Sequence, residues 1–235
     1  MMNRRDFLAS ALAFGSLGAL PAAAQQASRA LPRAYLPRRV RLAQPVEAGE
    51  IHVDPVSYKL YWTLPEGEAI QYTVGVGRDN LYEAGTFSVG AKKEWPSWTP
   101  TKDMIARQPE LYAQWADGME GGINNPLGAR ALYLFTPERG DTFLRIHGTN
   151  DPSTLGMAVS NGCTRLVNEQ VVDLYERVPL GTRVVLHPKS GRVWNAVASE
   201  GPVEGFAVPA ATVDAPAGDT RMCLDVLGRM VRCNP

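Results

Sequence analysis

Neither sign of charge is in excess: Lys plus Arg and Asp plus Glu number 24 each, for a formal net charge of zero. A nucleic-acid binder usually carries a basic surplus, so that class finds no support here. Cysteine is scarce, with three in 235 residues, and this excludes a small scaffold stapled by disulfides. Histidine is as rare, also three, and no Cys/His/carboxylate group has the spacing of a metal site. No metal and no cofactor is therefore expected. Long apolar runs are missing too. The apolar stretch from Ala9 to Leu20 falls short of the roughly 20 residues a membrane-spanning helix needs. No internal repeat is visible, which argues against a solenoid.

What remains is an ordinary globular balance, 45% hydrophobic and 20% charged, enough for one good core with appended segments. The first residues carry an address. Arg4 and Arg5 precede Phe7-Leu8 and the apolar run, and Ala22 and Ala24 fit a small-residue cleavage site. This reads as an export signal over residues 1–24 that is removed, leaving no membrane span. The paired arginines resemble a twin-arginine signal, with an ordinary secretory signal as the alternative. Either one predicts an exported protein, periplasmic and wall-associated in a bacterium.

Residues 25–48 hold Arg29, Arg33, Arg38, Arg39 and Arg41 among prolines, and read as a basic linker. From Ile51 the pattern turns to strands. Residues 51–54 and 59–64 flank a turn, residues 70–76 alternate, and residues 85–92 form another strand. Residues 131–136 and 142–146 read as a hairpin about Pro137–Gly140, and residues 182–186 as a further strand. Thr101 is a candidate N-cap for a short helix reaching Arg107. Asn168–Arg177 is the clearest helix, with Val171, Val172, Leu174, Tyr175 and Val178 on its apolar face. Many short strands and few helices predict a mostly β domain, sandwich- or barrel-like, over residues 49–188. Residues 189–219 are rich in Gly, Ala and Pro and read as linker. Residues 220–235 read as a small hairpin turning near Gly228, where Cys223 and Cys233 are close enough in sequence to pair.

That pairing leaves Cys163 as a free thiol in an oxidising compartment, which points to chemical work. It sits in Ser160-Asn161-Gly162-Cys163-Thr164-Arg165, with Arg145-Ile146-His147-Gly148-Thr149-Asn150 upstream. An apolar strand delivers His147 to its end, and a Gly-rich turn presents Cys163 just before a helix. A histidinium or a helix N-terminus lowers a thiol pKa, and imidazole can carry the thiol proton. Gly162 lets backbone N–H groups approach a developing oxyanion. Arg165 can hold a substrate carboxylate. His52 and His187 lie on strand ends far from this motif and read as structural. Trp95 and Trp98 are candidates for a groove wall.

These two motifs resemble the signature of the YkuD-type L,D-transpeptidases, most closely their ErfK-like members. Asn125 through Leu132, Asn168 through Val178, Trp98 through Thr101 and Gly75-Val76-Gly77 extend the resemblance over roughly residues 49–188. It implies a β-rich domain whose cysteine attacks a peptidoglycan tetrapeptide stem and releases D-Ala. The acyl group then passes to an amine acceptor: a second stem in a 3–3 cross-link, a lipoprotein lysine or a D-amino acid. Transfer to water, as a carboxypeptidase or endopeptidase, is the alternative, and a non-catalytic wall-binding protein is the rival from another class. By position, Cys163 is the nucleophile and His147 its base. The Gly148 carbonyl orients the imidazole, and Gly162 with Cys163 supplies oxyanion N–H groups. Arg165, Ser160, Asn161 and Trp98 are the expected substrate contacts. Asn161 and Thr164 depart from the commonest pattern, where histidine and an aliphatic residue stand.

Overall fold

The computed structural model describes residues 35–190, with the backbone of 196–202, 222–224 and 230–232. Alternating apolar residues build the strands β1 (Arg38–Leu42), β2 (Ile51–Asp54), β3 (Lys59–Thr63), β4 (Glu68–Thr73), β5 (Val76–Gly77) and β6 (Gly85–Glu94). Two short helices follow, α1 (Lys102–Arg107) and α2 (Pro109–Tyr112). Then come β7 (Arg130–Thr136), β8 (Gly140–His147), β9 (Ala158–Ser160), β10 (Thr164–Arg165), α3 (Asn168–Arg177), β11 (Arg183–Leu186) and β12 (Ala196–Pro202). The tail adds β13 (Met222–Leu224) and β14 (Met230–Arg232), paired antiparallel as the expected hairpin requires. Cys233 lies outside the described residues, and the Cys223–Cys233 pairing with it.

Ten strands form one sheet in the order β10-β8-β7-β6-β11-β2-β3-β4-β1-β12, and β5 pairs with β9. Most neighbours are antiparallel, but β10 runs parallel to β8, β11 parallel to β2 and β9 parallel to β5. Gly75, just after β4, exchanges backbone hydrogen bonds of 2.9 and 2.8 Å with Arg165 of β10. The sheet therefore coils until its β10 end meets the continuation of β4, the barrel-like arrangement expected of this pattern.

α3 forms over the residues its periodicity predicts. Val171, Leu174 and Val178 lose essentially all exposure against β7 and the sheet interior, where Leu132, Leu134 and Ile146 are equally buried. Each such side chain contributes roughly 1.5–3 kcal/mol relative to exposure. Lys92 of β6 donates to the last carbonyls of α3, Tyr175 O at 2.6 Å and Val178 O at 2.7 Å, satisfying groups the helix itself cannot. α1 begins as expected, with Thr101 Oγ1 accepting from Met104 N at 3.2 Å.

The basic linker departs from expectation. Along Arg38–Leu42 it is a strand between β4 and β12, because Val40 and Leu42 alternate with arginines and become 1% and 7% exposed. The backbone of 196–202, inside the segment read as a second linker, pairs with it as β12. Both segments look tether-like alone because their apolar residues are sparse; an exposed sheet edge supplies the missing partner.

His52 and His187 stack with ring centroids 5.3 Å apart, their Nδ1 and Nε2 atoms at 3.1 Å. Glu50 takes the other His52 nitrogen at 3.0 Å and is itself held by Arg183. The pair ties β2 to the end of β11.

Candidate active site

Register places the two motifs side by side. Arg165 pairs with His147, and Thr164 with Ile146, across the parallel β8–β10 contact. Leu166 N–H donates to His147 O at 2.9 Å, and Gly148 N–H to Arg130 O at 3.0 Å, so the histidine is fixed from both flanking strands. The ring is buried, with 5% of its surface exposed, and Nδ1 lies 2.5 Å from the Gly148 carbonyl. A carbonyl can only accept, so Nδ1 holds the proton and Nε2 of the neutral ring keeps the lone pair. Burial, then the Arg165 charge, hold this imidazole far below its ordinary value, at about 3, with the Gly148 carbonyl opposing.

Cys163 is a free, half-buried cysteine. Its turn is built by Ser160, whose hydroxyl donates to Cys163 O at 2.6 Å and accepts from Gly162 N–H at 3.2 Å. Gly162 has φ of +123°, and a Cβ there would meet Leu81 O at 2.9 Å, so only glycine fits. Burial pushes the thiol above its ordinary value, while the Arg145 N–H and the charges of Arg145 and Arg165 pull it back. The acceptor facing the sulfur is Phe143 O at 3.9 Å, a long contact. Thiol and imidazole thus rest as a neutral pair without a mutual hydrogen bond among the described residues.

Arg165 is 7% exposed, yet among the described residues its guanidinium makes no hydrogen bond or ion pair, and Nε is buried without a partner. The Asp151 carboxylate acts on this guanidinium without forming an ion pair with it, and its buried position near Cys163 suits an incoming anion.

Residues 95–128 cross in front of this group. Asn161 Nδ2 donates to Tyr112 Oη at 2.8 Å, and its Oδ1 accepts from Arg107 at 3.4 Å. Trp98 packs edge-on against Tyr112 with centroids 6.1 Å apart. Asn161 therefore links the Cys163 turn to α1 and α2.

The family model of YkuD, an L,D-transpeptidase catalytic domain, matches residues 48–186. The chain belongs to the YkuD family. A candidate L,D-transpeptidase of Fuscovulum blasticum is 34% identical over 78% of this chain and 96% of its own length. The probable L,D-transpeptidase YbiS of Escherichia coli is 34% identical over 63% of this chain, which spans 47% of that protein. A Brucella melitensis crystal structure described as a probable carnitine operon oxidoreductase is 44% identical. It covers 67% of this chain and 96% of its own, with a TM-score of 0.46. The Enterococcus faecium L,D-transpeptidase C442S structure is 18% identical, covering 60% of this chain and 50% of that one, with a TM-score of 0.45.

This YkuD domain is a cysteine-dependent transpeptidase. The geometry adds three observations on the expected site residues. Cys163 precedes the two-residue strand β10 rather than a helix, since α3 begins only at Asn168. No helix terminus therefore adjoins the thiol. Gly162 N–H, expected at the oxyanion, is engaged by Ser160. Ser160 and Asn161, the expected substrate contacts, also make hydrogen bonds within the protein, to Cys163 O and to Tyr112 Oη. Sequence reading missed Asp141, Phe143 and Arg145, which lie on β8 beside the sulfur. No strand periodicity marks them, because the strand is irregular there.

Proposed function

We propose that the protein is an exported peptidoglycan L,D-transpeptidase acting on tetrapeptide stems. The observation that supports this best is the β8–β10 register, which sets the Nδ1-anchored imidazole of His147 beside the buried Arg165, two residues after Cys163. Cys163 Sγ attacks the carbonyl carbon of the third stem residue while Nε2 of His147 takes the thiol proton. The carbonyl electron pair moves to oxygen, and the Cys163 N–H, left over once Ser160 holds Gly162, donates to that oxyanion. Collapse breaks the C–N bond, the imidazolium protonates the leaving amine, and D-Ala departs. An acceptor amine then attacks the thioester, gives its proton to His147, and thiolate is expelled and reprotonated.

Both groups favour their neutral forms, so proton transfer accompanies C–S bond formation instead of preceding it. A stem carboxylate on Arg165 would cancel part of the charge that depresses His147, making the base stronger when substrate is present. Among the described residues no helix is long and apolar enough to cross a membrane. Export rests on the reading of residues 1–24.

Incubation with tetrapeptide-bearing muropeptides tests the proposal. Dimers formed with D-Ala loss are expected; tripeptides alone would point to water as acceptor, and attached peptide or D-amino acid to the other amines. Absence of D-Ala release would overturn it.

A further inference from the structure

Opposite β7, strand β8 carries a wide bulge. Tyr133 pairs with Arg145 and Phe135 with Asp141, so Thr142, Phe143 and Leu144 face Leu134 alone. The bulge puts Phe143 in the left-handed region at φ +62°, which costs an ordinary L-residue roughly 1–2 kcal/mol. Such strain persists only where the surroundings impose it. Here they do. Asp141 Oδ1 accepts from Phe143 N–H at 2.8 Å. The Arg145 guanidinium forks onto the same carboxylate at 2.6 and 2.8 Å and lies 3.9 Å over the Tyr133 ring. Thr142 Oγ1 ties the bulge to Leu134 O at 2.6 Å. Arg145 is well covered in this pair, its side chain 11% exposed, beyond what a surface ion pair shows.

The product of this construction is aimed at the sulfur. The Phe143 carbonyl faces Sγ, the Arg145 N–H reaches it, and the Arg145 charge acts on it. The side chain of Phe143 points outward, 68% exposed beside the nucleophile.

We propose that Asp141 and Arg145 are positioning residues for Cys163: their fork sets the β8 bulge, and the bulge presents a carbonyl acceptor and a cation to the thiol. The inference rests on Cys163 being the nucleophile. The other charged and titratable groups on the elements packed there are Arg165 on β10, His147 on β8 opposite Arg165, Tyr133 on β7, and Arg107 and Tyr112 where α1 and α2 meet Asn161.

The test is the pH dependence of iodoacetamide alkylation at Cys163 in the full chain, read by peptide mass mapping, with circular dichroism to confirm folding. Arg145→Gln should move the alkylation midpoint up by about one pH unit and slow the reaction about tenfold at pH 7, as one pKa unit dictates. Arg145→Lys, which keeps the charge without the fork, should fall between wild type and Arg145→Gln. Asp141→Asn decides between anchor and bystander. An anchor predicts an upward shift, because the guanidinium is released. A plain neighbouring anion predicts a downward shift, since removing it favours thiolate. An unchanged midpoint in Arg145→Gln, or a lowered one in Asp141→Asn, overturns the proposal. Alkylation needs no stem peptide, so shifted midpoints in a protein that releases no D-Ala would sink the proposed substrate and leave this inference standing.

Discussion

Gly128→Ala probes the wall behind His147. Gly128 has φ of +64°, and an added Cβ would sit 2.2 Å from Asn168 Oδ1 and 2.6 Å from the Gly148 carbonyl carbon and Thr149 N. The left-handed conformation alone costs alanine about 1–2 kcal/mol. Crowding against backbone, which cannot swing aside, adds about 1–3 kcal/mol. Asn168 Oδ1 also accepts from Ala129 N–H at 2.9 Å, and losing that bond removes about 1 kcal/mol more. A total near 4 kcal/mol should lower Tm by about 8–16 °C at the 2–4 °C per kcal/mol of a domain this size. The displaced group is the carbonyl that grips Nδ1, so kcat should fall at least about tenfold while KM changes less. Gly140→Ala is the control. Gly140 shares the conformation, φ +65°, but a Cβ there meets nothing within 4 Å, so only the backbone part, about 1–2 kcal/mol, should be lost. Thermal unfolding and D-Ala release, measured on both variants, decide the matter. Equal Tm shifts, or an undiminished kcat in Gly128→Ala, would refute the reasoning.

Other outcomes follow from the same structure. Burial, with the His187 and Arg183 charges, holds His52 at about 4, and burial lowers His187 too. The unfolded chain takes up these protons near pH 6.5 and the folded chain does not. Stability should therefore be full above pH 6.5 and decline as pH falls towards 4. Urea midpoints across that window should show the decline, and His52→Gln with His187→Gln should make it shallower, the remainder coming from the likewise depressed His147; an unaltered slope would contradict the assignment. With His147 at about 3, the kcat/KM profile of the free enzyme should show no inflection near pH 6.5, and finding one there would mean the imidazole is solvated. Tyr72, fully buried, donates to Asp173 Oδ2 at 2.5 Å, and Arg177 also holds that carboxylate. Tyr72→Phe should lower stability by about 1 kcal/mol in chemical denaturation; a loss beyond about 3 would show that Arg177 does not compensate.

The strands and α3 were legible because their apolar periods are clean. Val171, Leu174 and Val178 mark one face of a helix whether or not the sheet is known. The contact of His147 with the Gly148 carbonyl was legible because the two are neighbours in sequence. The illegible parts depend on partners distant in the chain. β1 needs the edge of β4, and β10 is two residues held only by β8 and Gly75. Asp141 and Arg145 stand four apart, a helical spacing, and meet on a strand only because the β8 bulge brings them together. The engagement of Gly162 by Ser160 is a matter of one hydroxyl rotamer that no spacing encodes. Asn161, a departure from the commoner histidine, finds its reason in Tyr112 and Arg107 across the 95–128 segment.

The central claim is that Cys163 carries the acyl group of a stem peptide. Intact-protein and peptide mass analysis after brief exposure to tetrapeptide stems measures this directly. The account predicts a stem acyl adduct on the Cys163 peptide, formed with one D-Ala released per adduct and absent from Cys163→Ala. D-Ala release that persists in Cys163→Ala, or an adduct on another residue, would contradict it.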